Sequence, residues 1–252
     1  MPSLIPGPLP GPPPTPGSEL PDADLPGADL PGADLPGADA VRRALGAGRA
    51  AVLPNPSPLT YVVAAAAPHA VNTAKGRPAG QEVAVWLHAD DTWQELVPAL
   101  DLAPAAVRSA TVLLRRELVT LLVPLRADAA APDWIAPAVR DGHALLFGAR
   151  WAPLAGLLAD HPRLYVSSAN RTGSPPASTA AGAAAMFGEH APVLDGDALR
   201  EPGRPHAATT MLRIAADGRL ALVRRGAQDA AHGPDPAAYL RRLADPETDR
   251  RS

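Results

Sequence analysis

The chain has 252 residues, of which 46% are hydrophobic but only 4% aromatic, and it contains 32 Pro. Any core would therefore consist mainly of Ala, Val and Leu. The sequence has no Cys, which excludes disulfides and thiolate metal sites, and its seven His follow no recognisable ligand spacing. No apolar run is long enough to cross a bilayer, and no basic region precedes an apolar one at the N-terminus. We therefore expect a cytoplasmic protein with no membrane partner.

The first 38 residues are of low complexity. They are rich in Pro and Gly, and the motif LPGAD recurs from Leu25 to Asp39. Such a segment cannot bury enough apolar surface to offset the entropy lost on ordering, so we predict a disordered, partly extended linker; an interaction tail is the alternative. The formal net charge is −3, but residues 1–40 contain six acidic residues and no Lys or Arg. The rest of the chain therefore has 23 basic and 20 acidic residues, an excess of +3. That excess permits an anionic ligand without requiring one.

From Asp39 onward, short apolar runs alternate with helical patterns. The segment PNPSPLTY, residues 54–61, is too rich in Pro for the interior of a helix or sheet. We predict one α/β domain with a mixed, twisted sheet over residues 39–235, followed by a polar, frayed tail over residues 236–252. The predicted strands and apolar runs are 50–53, 62–67, 83–87, 118–123, 144–147, 164–166, 209–214 and 220–223. The predicted helices are 39–45, 69–74, 93–102, 104–109, 134–140, 152–159 and 179–187.

The segment LYVSSANRTGSPPAS, residues 164–178, carries the clearest functional signal. Its apolar strand ends in Ser-Ser-Ala-Asn, which places hydroxyl, amide and backbone N–H groups at the end of a strand. In α/β proteins, anions and small ligands bind at such places. The same residues are equally typical of an ordinary turn that leads into a capped helix. The motif KGRP, residues 75–78, is by itself as consistent with a solvent-facing basic turn as with a binding site.

Taken in order, four motifs resemble the YrdC-like family, the threonylcarbamoyl-adenylate synthases. They are KGRP, SSAN, the pair Thr209-Thr210, and LVRRGA at residues 222–227. The family pattern contains P-T-D-T-x-Y-G-L, K-G-R-P, P-x-T-L, T-S-A-N-x-S-G-x-P, S-T and R-x-G-A. The resemblance extends from Asp39 to about Ala227, and VSSANRTGSPPASTAA is its strongest part.

The resemblance implies both a fold and a reaction. The fold is a YrdC-like twisted mixed sheet with helices around a basic groove. The reaction joins ATP, bicarbonate and L-threonine into threonylcarbamoyl-adenylate and pyrophosphate, for tRNA modification. ATP would then be a substrate, accompanied by Mg²⁺, with no tightly bound cofactor and no resident metal. A nucleotide would be the ligand, with RNA or tRNA-modification proteins as further partners, because some members are described as binding double-stranded RNA.

The resemblance also implies which residues bind ATP. A Lys point charge and an Arg fork suit a triphosphate, and Ser and Asn add neutral hydrogen-bonding groups. The reaction needs no nucleophilic side chain, since positioning the reactants and stabilising charge supply most of the catalysis. The predicted ATP- and phosphate-binding residues are Lys75, Arg77, Thr120, Ser168, Asn170, Thr209 and Arg224.

The amino-acid side of the site departs from the family pattern. PNPSPLTY retains only Pro54 and Ser57 of P-T-D-T-x-Y-G-L, and the chain from there to Lys75 is about one helical turn short of the family spacing. The candidates for this side are Asn55, Ser57 and His88, although His88 falls two residues later than the His of some relatives. The family pattern also has an R-x-P motif between P-x-T-L and T-S-A-N-x-S-G-x-P, and this motif has no clean match here. Arg150 either replaces its Arg or is a surface residue.

Three functions remain open from the sequence. The chain is an enzyme of the threonylcarbamoyl-adenylate synthase type with weak or altered activity, or a non-catalytic relative that binds nucleotide or double-stranded RNA. The third is a YrdC-like domain kept as an interaction module, with the Pro-rich segment as its contact. A turnover assay separates the first function from the other two.

Overall fold

Short strands rich in Val, Leu and Ala form one mixed sheet. The computed structural model describes residues 35–56, 59–148, 152–171, 173–200 and 206–244. Within these ranges the sheet has nine strands. In chain order they are β1 Ala51–Pro56, β2 Leu59–Ala65, β3 Ala84–Trp86, β4 Thr120–Pro124, β5 Val139–Arg140, β6 His143–Phe147, β7 Leu164–Ser168, β8 Met211–Ile214 and β9 Leu220–Arg224.

The sheet mixes parallel and antiparallel pairs. Its order is β1-β2-β7-β3-β6-β4-β8-β9, with β5 beside β6. The pairs β3–β6 and β4–β8 are parallel, and the other pairs are antiparallel. Helices pack on both faces, so the predicted α/β class with a twisted mixed sheet is confirmed. The helices are α1 Ala38–Gly46, α2 Pro68–Ala74, α3 Asp90–Leu96, α4 Pro104–Arg115, α5 Ala152–Leu158, α6 Ala180–Phe187, α7 Ala227–Ala230 and α8 Pro236–Ala244.

Alternate residues of the strands enter two separate apolar layers, because successive side chains of a strand point to opposite faces. Val63 of β2 and Val85 of β3 belong to the larger layer, together with buried residues of α2, α3, α4, α6 and α8. Val62 and Ala84 belong to the smaller layer, which α1 and α5 cover. Since these two helices cover only part of that face, one end of it is left open, and the candidate site lies there.

β1 and β2 extend into the Pro-rich segment as the two arms of a β-hairpin, over residues 54–56 and 59–61, so the predicted strand limits at residues 53 and 62 are wrong. Pro54 pairs with Tyr61, and Pro56 pairs with Leu59. β1 is the last strand on one side of the sheet, and the Val52 N–H points outward to the carbonyl of Pro192. Because outward N–H groups recur at every second residue, Pro54 and Pro56 stand at outward positions. There the missing N–H costs no pairing with β2.

Two predicted helices are shorter than expected because Pro interrupts them. α3 ends at Leu96 and continues only as a 3₁₀ turn at Val97–Ala99. The predicted helix 134–140 is a 3₁₀ helix, Asp133–Ala138, followed by β5. Pro137 has no N–H for an α-helical bond, and Val139 pairs with Ala144 of β6.

The packed part of the chain is longer at both ends than the predicted range of 39–235. Leu35 already packs against the smaller apolar layer. The predicted polar tail begins with helix α8, in which Tyr239 is fully buried and stacks on His232. Leu240 and Leu243 of the same helix also pack against the larger apolar layer. Residues 1–34, where most of the predicted linker falls, lie outside the described residues.

We predict that Tyr239→Ala lowers the free energy of unfolding by about 3–5 kcal/mol, as is usual when a buried aromatic side chain is truncated. Val223→Ala is the control, because Val223 is 45% exposed on β9, and we expect a change within about 0.5 kcal/mol. Denaturant unfolding measures both. Equal, small effects would mean that α8 does not contribute to the folded domain.

Candidate functional site

A buried amine holds the loop that follows β7. Lys75 ends helix α2 and is only 6% exposed. Its Nζ donates to the carbonyl oxygen of Asn170 at 2.9 Å, to Asn170 Oδ1 at 3.0 Å, and to the carbonyl oxygen of Ser168. An ammonium group has three hydrogens, so these three acceptors use its full capacity. Lys75 is therefore the residue that fixes the SSAN loop.

The loop has further internal bonds that fix its shape. Ser168 Oγ donates to Asn170 Oδ1 at 2.7 Å, and Asn170 Nδ2 donates to the carbonyl of Ser174 at 2.7 Å. The Ala169 N–H reaches across to the carbonyl of Tyr61 on β2. The Ser and Asn side chains that suggested an anion site thus also build the turn, and the two interpretations of this segment are compatible.

Phe187, the last residue of α6, supports the same cluster and was missed from the sequence. Its ring centroid lies 5.8 Å from Lys75 Nζ and 5.6 Å from the guanidinium carbon of Arg171, which are cation–π distances. Arg171 Nη2 also donates to the carbonyl of Met186 at 2.8 Å. The signal in the sequence was a lone aromatic residue ending the Ala-rich run AAGAAAMF.

Arg77 approaches the loop from the same side. Its Nη1 donates to Ser167 Oγ at 3.0 Å. Asn72 positions the KGRP turn. Its side-chain Nδ2 donates to the backbone carbonyls of Ala79 and Gln81, and its backbone carbonyl accepts the Arg77 N–H. The structure therefore brings the two predicted cations together with the predicted Ser and Asn, although about 90 residues of sequence separate the two motifs.

Burial lowers the pKa of Lys75 to about 7, and the positive charges of Arg77 and Arg171 act in the same direction. A buried cation is destabilised by lost hydration and by like charges nearby. The site thus places a titratable amine beside two cations at neutral pH.

An open cavity of about 130 Å³ lies next to this cluster. Its floor is the uncovered end of the smaller apolar layer, where Val62, Val166 and Phe147 line the cavity. Thr120, Ser168, Thr209 and Arg224, four of the predicted ATP-binding residues, line it together with Asn55. Lys75, Arg77 and Asn170 stand behind that wall and connect to it through Ser167 and Ser168.

Asn55 ties the two ends of the sheet together across the cavity. Its Nδ2 donates to Thr60 Oγ1 at 3.2 Å and to Thr209 Oγ1 at 3.1 Å. Thr60 is on β2 at one end of the strand order, whereas Thr209 precedes β8 near the other end. The sheet must therefore curl until its ends meet. Both amide hydrogens of Asn55 are used in this tie, which leaves only its carbonyl oxygen to accept from a ligand.

His88, a further candidate on the amino-acid side, does not line the cavity. β3 ends at Trp86, and the part of the chain beside β3 that lines the cavity is 82–84, at the start of the strand. His88 lies beyond the other end, where its ring packs edge-on against Trp86 at 5.8 Å. The two-residue offset from the family pattern thus moves His88 away from the cavity. Ser57 and Arg150 lie outside the described residues.

The fold is similar to that of several solved structures. The crystal structure of P. abyssi Sua5 complexed with L-threonine matches with a TM-score of 0.54 at 17% sequence identity, over 75% of this chain and 54% of that chain. Full-length HypF in its phosphate- and nucleotide-bound form matches with a TM-score of 0.56 at 18% identity, over 77% of this chain and 24% of that one. E. coli YciO matches with a TM-score of 0.50 at 15% identity, over 75% and 90% of the two chains.

These likenesses show the fold: a curled mixed sheet with helices, as in Sua5 and in part of HypF. This chain matches about half the length of the Sua5 structure and about a quarter of the HypF chain. No protein-family model matches the sequence, and the search of curated proteins found no relative. In the described residues, no helix is long and apolar enough to cross a membrane.

The lowered pKa of Lys75 predicts a dependence of stability on pH. In the unfolded chain Lys stays protonated up to about pH 10.4, whereas in the folded chain it loses its proton near pH 7. Between these values the unfolded state binds more protons, so the stability contributed by this position rises with pH.

We therefore expect the free energy of unfolding of the wild type, minus that of Lys75→Met, to increase steadily from pH 6.5 to 9.5. Denaturant unfolding at several pH values measures this difference, and Lys75→Met cancels the contribution of every other titrating group. A difference that is independent of pH would contradict the burial-lowered pKa.

Proposed function

We propose that the cavity binds ATP and that the chain is a nucleotide-dependent protein of the threonylcarbamoyl-adenylate synthase type, altered on the amino-acid side. The observation that carries this proposal is the polar wall of the cavity, which includes Thr120, Ser167, Ser168, Thr209 and Arg224. The Arg224 guanidinium group and several hydroxyls line the cavity, and Arg77 places a second guanidinium group behind the wall, bonded to Ser167. The fold is shared with HypF in its phosphate- and nucleotide-bound form.

The donor set fits a nucleoside triphosphate. Arg guanidinium groups and hydroxyls bind phosphate oxygens well. The apolar floor, which includes Phe147, suits the flat face of a base. A cavity of about 130 Å³ encloses only part of ATP, so the rest of the nucleotide extends along the open side. The described residues contain no group of three or more His, Cys, Asp or Glu that could hold a metal ion. In this proposal, Mg²⁺ would accompany the triphosphate as its counter-ion.

The chemistry follows from charge and position. A carbamate oxygen attacks the α-phosphorus of ATP, the bond from that phosphorus to the bridging oxygen breaks, and pyrophosphate leaves with the bonding electrons. Arg224, at the cavity, stabilises the negative charge that builds up on the leaving group, and Arg77 adds positive charge from behind Ser167. Lys75 contributes by holding Ser168 and Asn170 in place and by adding positive charge behind the wall.

We predict that Arg224→Gln weakens Mg²⁺-ATP binding by about 1.5–3 kcal/mol, the usual cost of losing a charged hydrogen bond. Arg224 lines the cavity and donates to the carbonyl of Thr209 at 2.9 Å. Arg219→Gln is the matched control, because Arg219 lies on the same β8–β9 hairpin but does not line the cavity, and its side chain bonds to exposed Asp217. Isothermal titration at fixed salt measures both. No binding by the wild type, or equal losses in the two variants, would refute the proposal.

We predict further that the chain alone turns over L-threonine poorly. Asn55 spends both amide hydrogens on Thr60 and Thr209, Pro54 and Pro56 supply no N–H, and His88 lies away from the cavity. A threonine site must satisfy a carboxylate, a hydroxyl and an amine, and unpaired polar groups there are costly.

The assay supplies threonine, bicarbonate, Mg²⁺ and ATP, and follows pyrophosphate. We expect release well below about 1 s⁻¹, the lower part of the ordinary enzyme range, while ATP binding persists. Faster release would show that the altered hairpin still forms a working amino-acid site. Binding without release for any amino acid would favour the nucleotide-binding, non-catalytic alternative.

A further inference from the structure

The wall that carries Thr209 and Arg224 has a buried carboxylate behind it that the proposed chemistry does not use. Asp229, in helix α7, is 1% exposed. Its Oδ1 accepts from the Gly226 N–H at 2.6 Å and from Thr210 Oγ1 at 2.8 Å, and its Oδ2 accepts from Arg225 Nε at 2.9 Å. The Asp229 N–H in turn donates to Thr210 Oγ1 at 3.0 Å.

These bonds interlock two segments that are separate in sequence. The segment before β8 supplies Thr209 and Thr210, whereas the end of β9 supplies Arg224 and the turn after it supplies Gly226. A Cβ at Gly226 would collide with the carbonyl of Ala208 and the N–H of Thr210. The turn therefore fits against the other segment only because residue 226 is Gly, and Asp229 holds the two segments in that contact.

Each bond of Asp229 leads, within two residues, to a side chain or backbone group at the cavity. Thr210 adjoins Thr209, whose Oγ1 accepts from Asn55, and the carbonyl of Thr210 accepts the N–H of Thr120. Arg225 adjoins Arg224, which donates to the carbonyl of Thr209, and Gly226 is the next residue after Arg225. A shift of this carboxylate would thus displace three of the residues that line the cavity.

We propose that Asp229 is a positioning residue for the nucleotide-binding wall, acting through Thr210 and Gly226 on Thr120, Thr209 and Arg224. It touches no ligand itself. The inference rests on the proposed function for its effect on ATP affinity, but its effect on the geometry of the wall is independent of any ligand.

Two substitutions test the link from opposite sides. Asp229→Ala removes all three acceptor bonds, and Thr210→Val removes only the hydroxyl between the two segments. Thr210→Ser keeps that hydroxyl and serves as the conservative rescue. Asp217→Asn is the control, since Asp217 is an exposed Asp on the same hairpin, bonded to Arg219.

ATP affinity is measured well below the melting temperature, and circular dichroism determines the folded fraction of each variant. We expect Asp229→Ala and Thr210→Val to weaken binding about tenfold per folded molecule, as for a lost buried hydrogen bond. Thr210→Ser and Asp217→Asn should stay within about twofold. A residue that merely stabilises the fold would lower the melting temperature and leave the affinity of the folded fraction unchanged, and that result overturns the inference.

A second measurement separates this inference from the proposed function. The side-chain amide of Asn55 does not touch Asp229, but it donates to Thr209, so its NMR resonances report the position of the wall without any ligand. We expect them to shift in Thr210→Val and to return in Thr210→Ser. If the wild type binds no ATP, the proposed function fails. If the Asn55 resonances do not move, the positioning role fails, whether or not ATP binds.

Discussion

The site depends on one buried amine. Lys75 lies under the loop after β7 and donates to three oxygens of that loop, in addition to the bonds within the loop and to β2. Burying an ammonium group is costly unless it is fully hydrogen-bonded, and this one is satisfied by the carbonyl of Ser168 and two oxygens of Asn170. The ring of Phe187 below it adds a further favourable contact. The same burial lowers the pKa of Lys75 towards neutrality. The interaction that builds the loop therefore also sets the electrostatics beside the cavity.

The second constraint is the curl of the sheet, which brings distant parts of the chain to one cavity. Asn55 and Thr209 are 154 residues apart in sequence and hydrogen-bonded to each other. Their contact requires the two ends of the sheet to meet, and it leaves the cavity between them. β1 can contribute to this closure because its two Pro residues stand at outward positions, where they also keep another strand from adding to the edge.

Much of the architecture was predictable because it rests on local patterns. The apolar runs located most strands, and the order of KGRP, SSAN, Thr209-Thr210 and RRGA predicted a fold that the solved structures share. The extension of β1 and β2 into residues 54–56 and 59–61 was not predictable from composition. Pro is tolerated there only because its backbone nitrogen faces away from β2, a property of the assembled sheet. Helix α8 was missed for a similar reason: Tyr239 is its one fully buried side chain, and its partners come from elsewhere in the chain.

Within the site, charged and hydroxyl residues stood out in the sequence. The residues that position them, Asn72, Phe187 and Asp229, did not, since their roles depend on contacts across the fold.

We propose that ATP occupies the cavity beside the Lys75 loop. The most direct test is to map which residues of the folded chain contact ATP. Two-dimensional NMR spectra of the isotope-labelled protein would be recorded during titration with Mg²⁺-ATP, including the side-chain Nε–H of Arg77 and Arg224. We expect the largest shifts on Ser167, Ser168, Thr120, Thr209 and Arg224, which line the cavity, and on Arg77, which is bonded to Ser167. Shifts confined to another surface, or an unchanged spectrum at millimolar ATP, would contradict it.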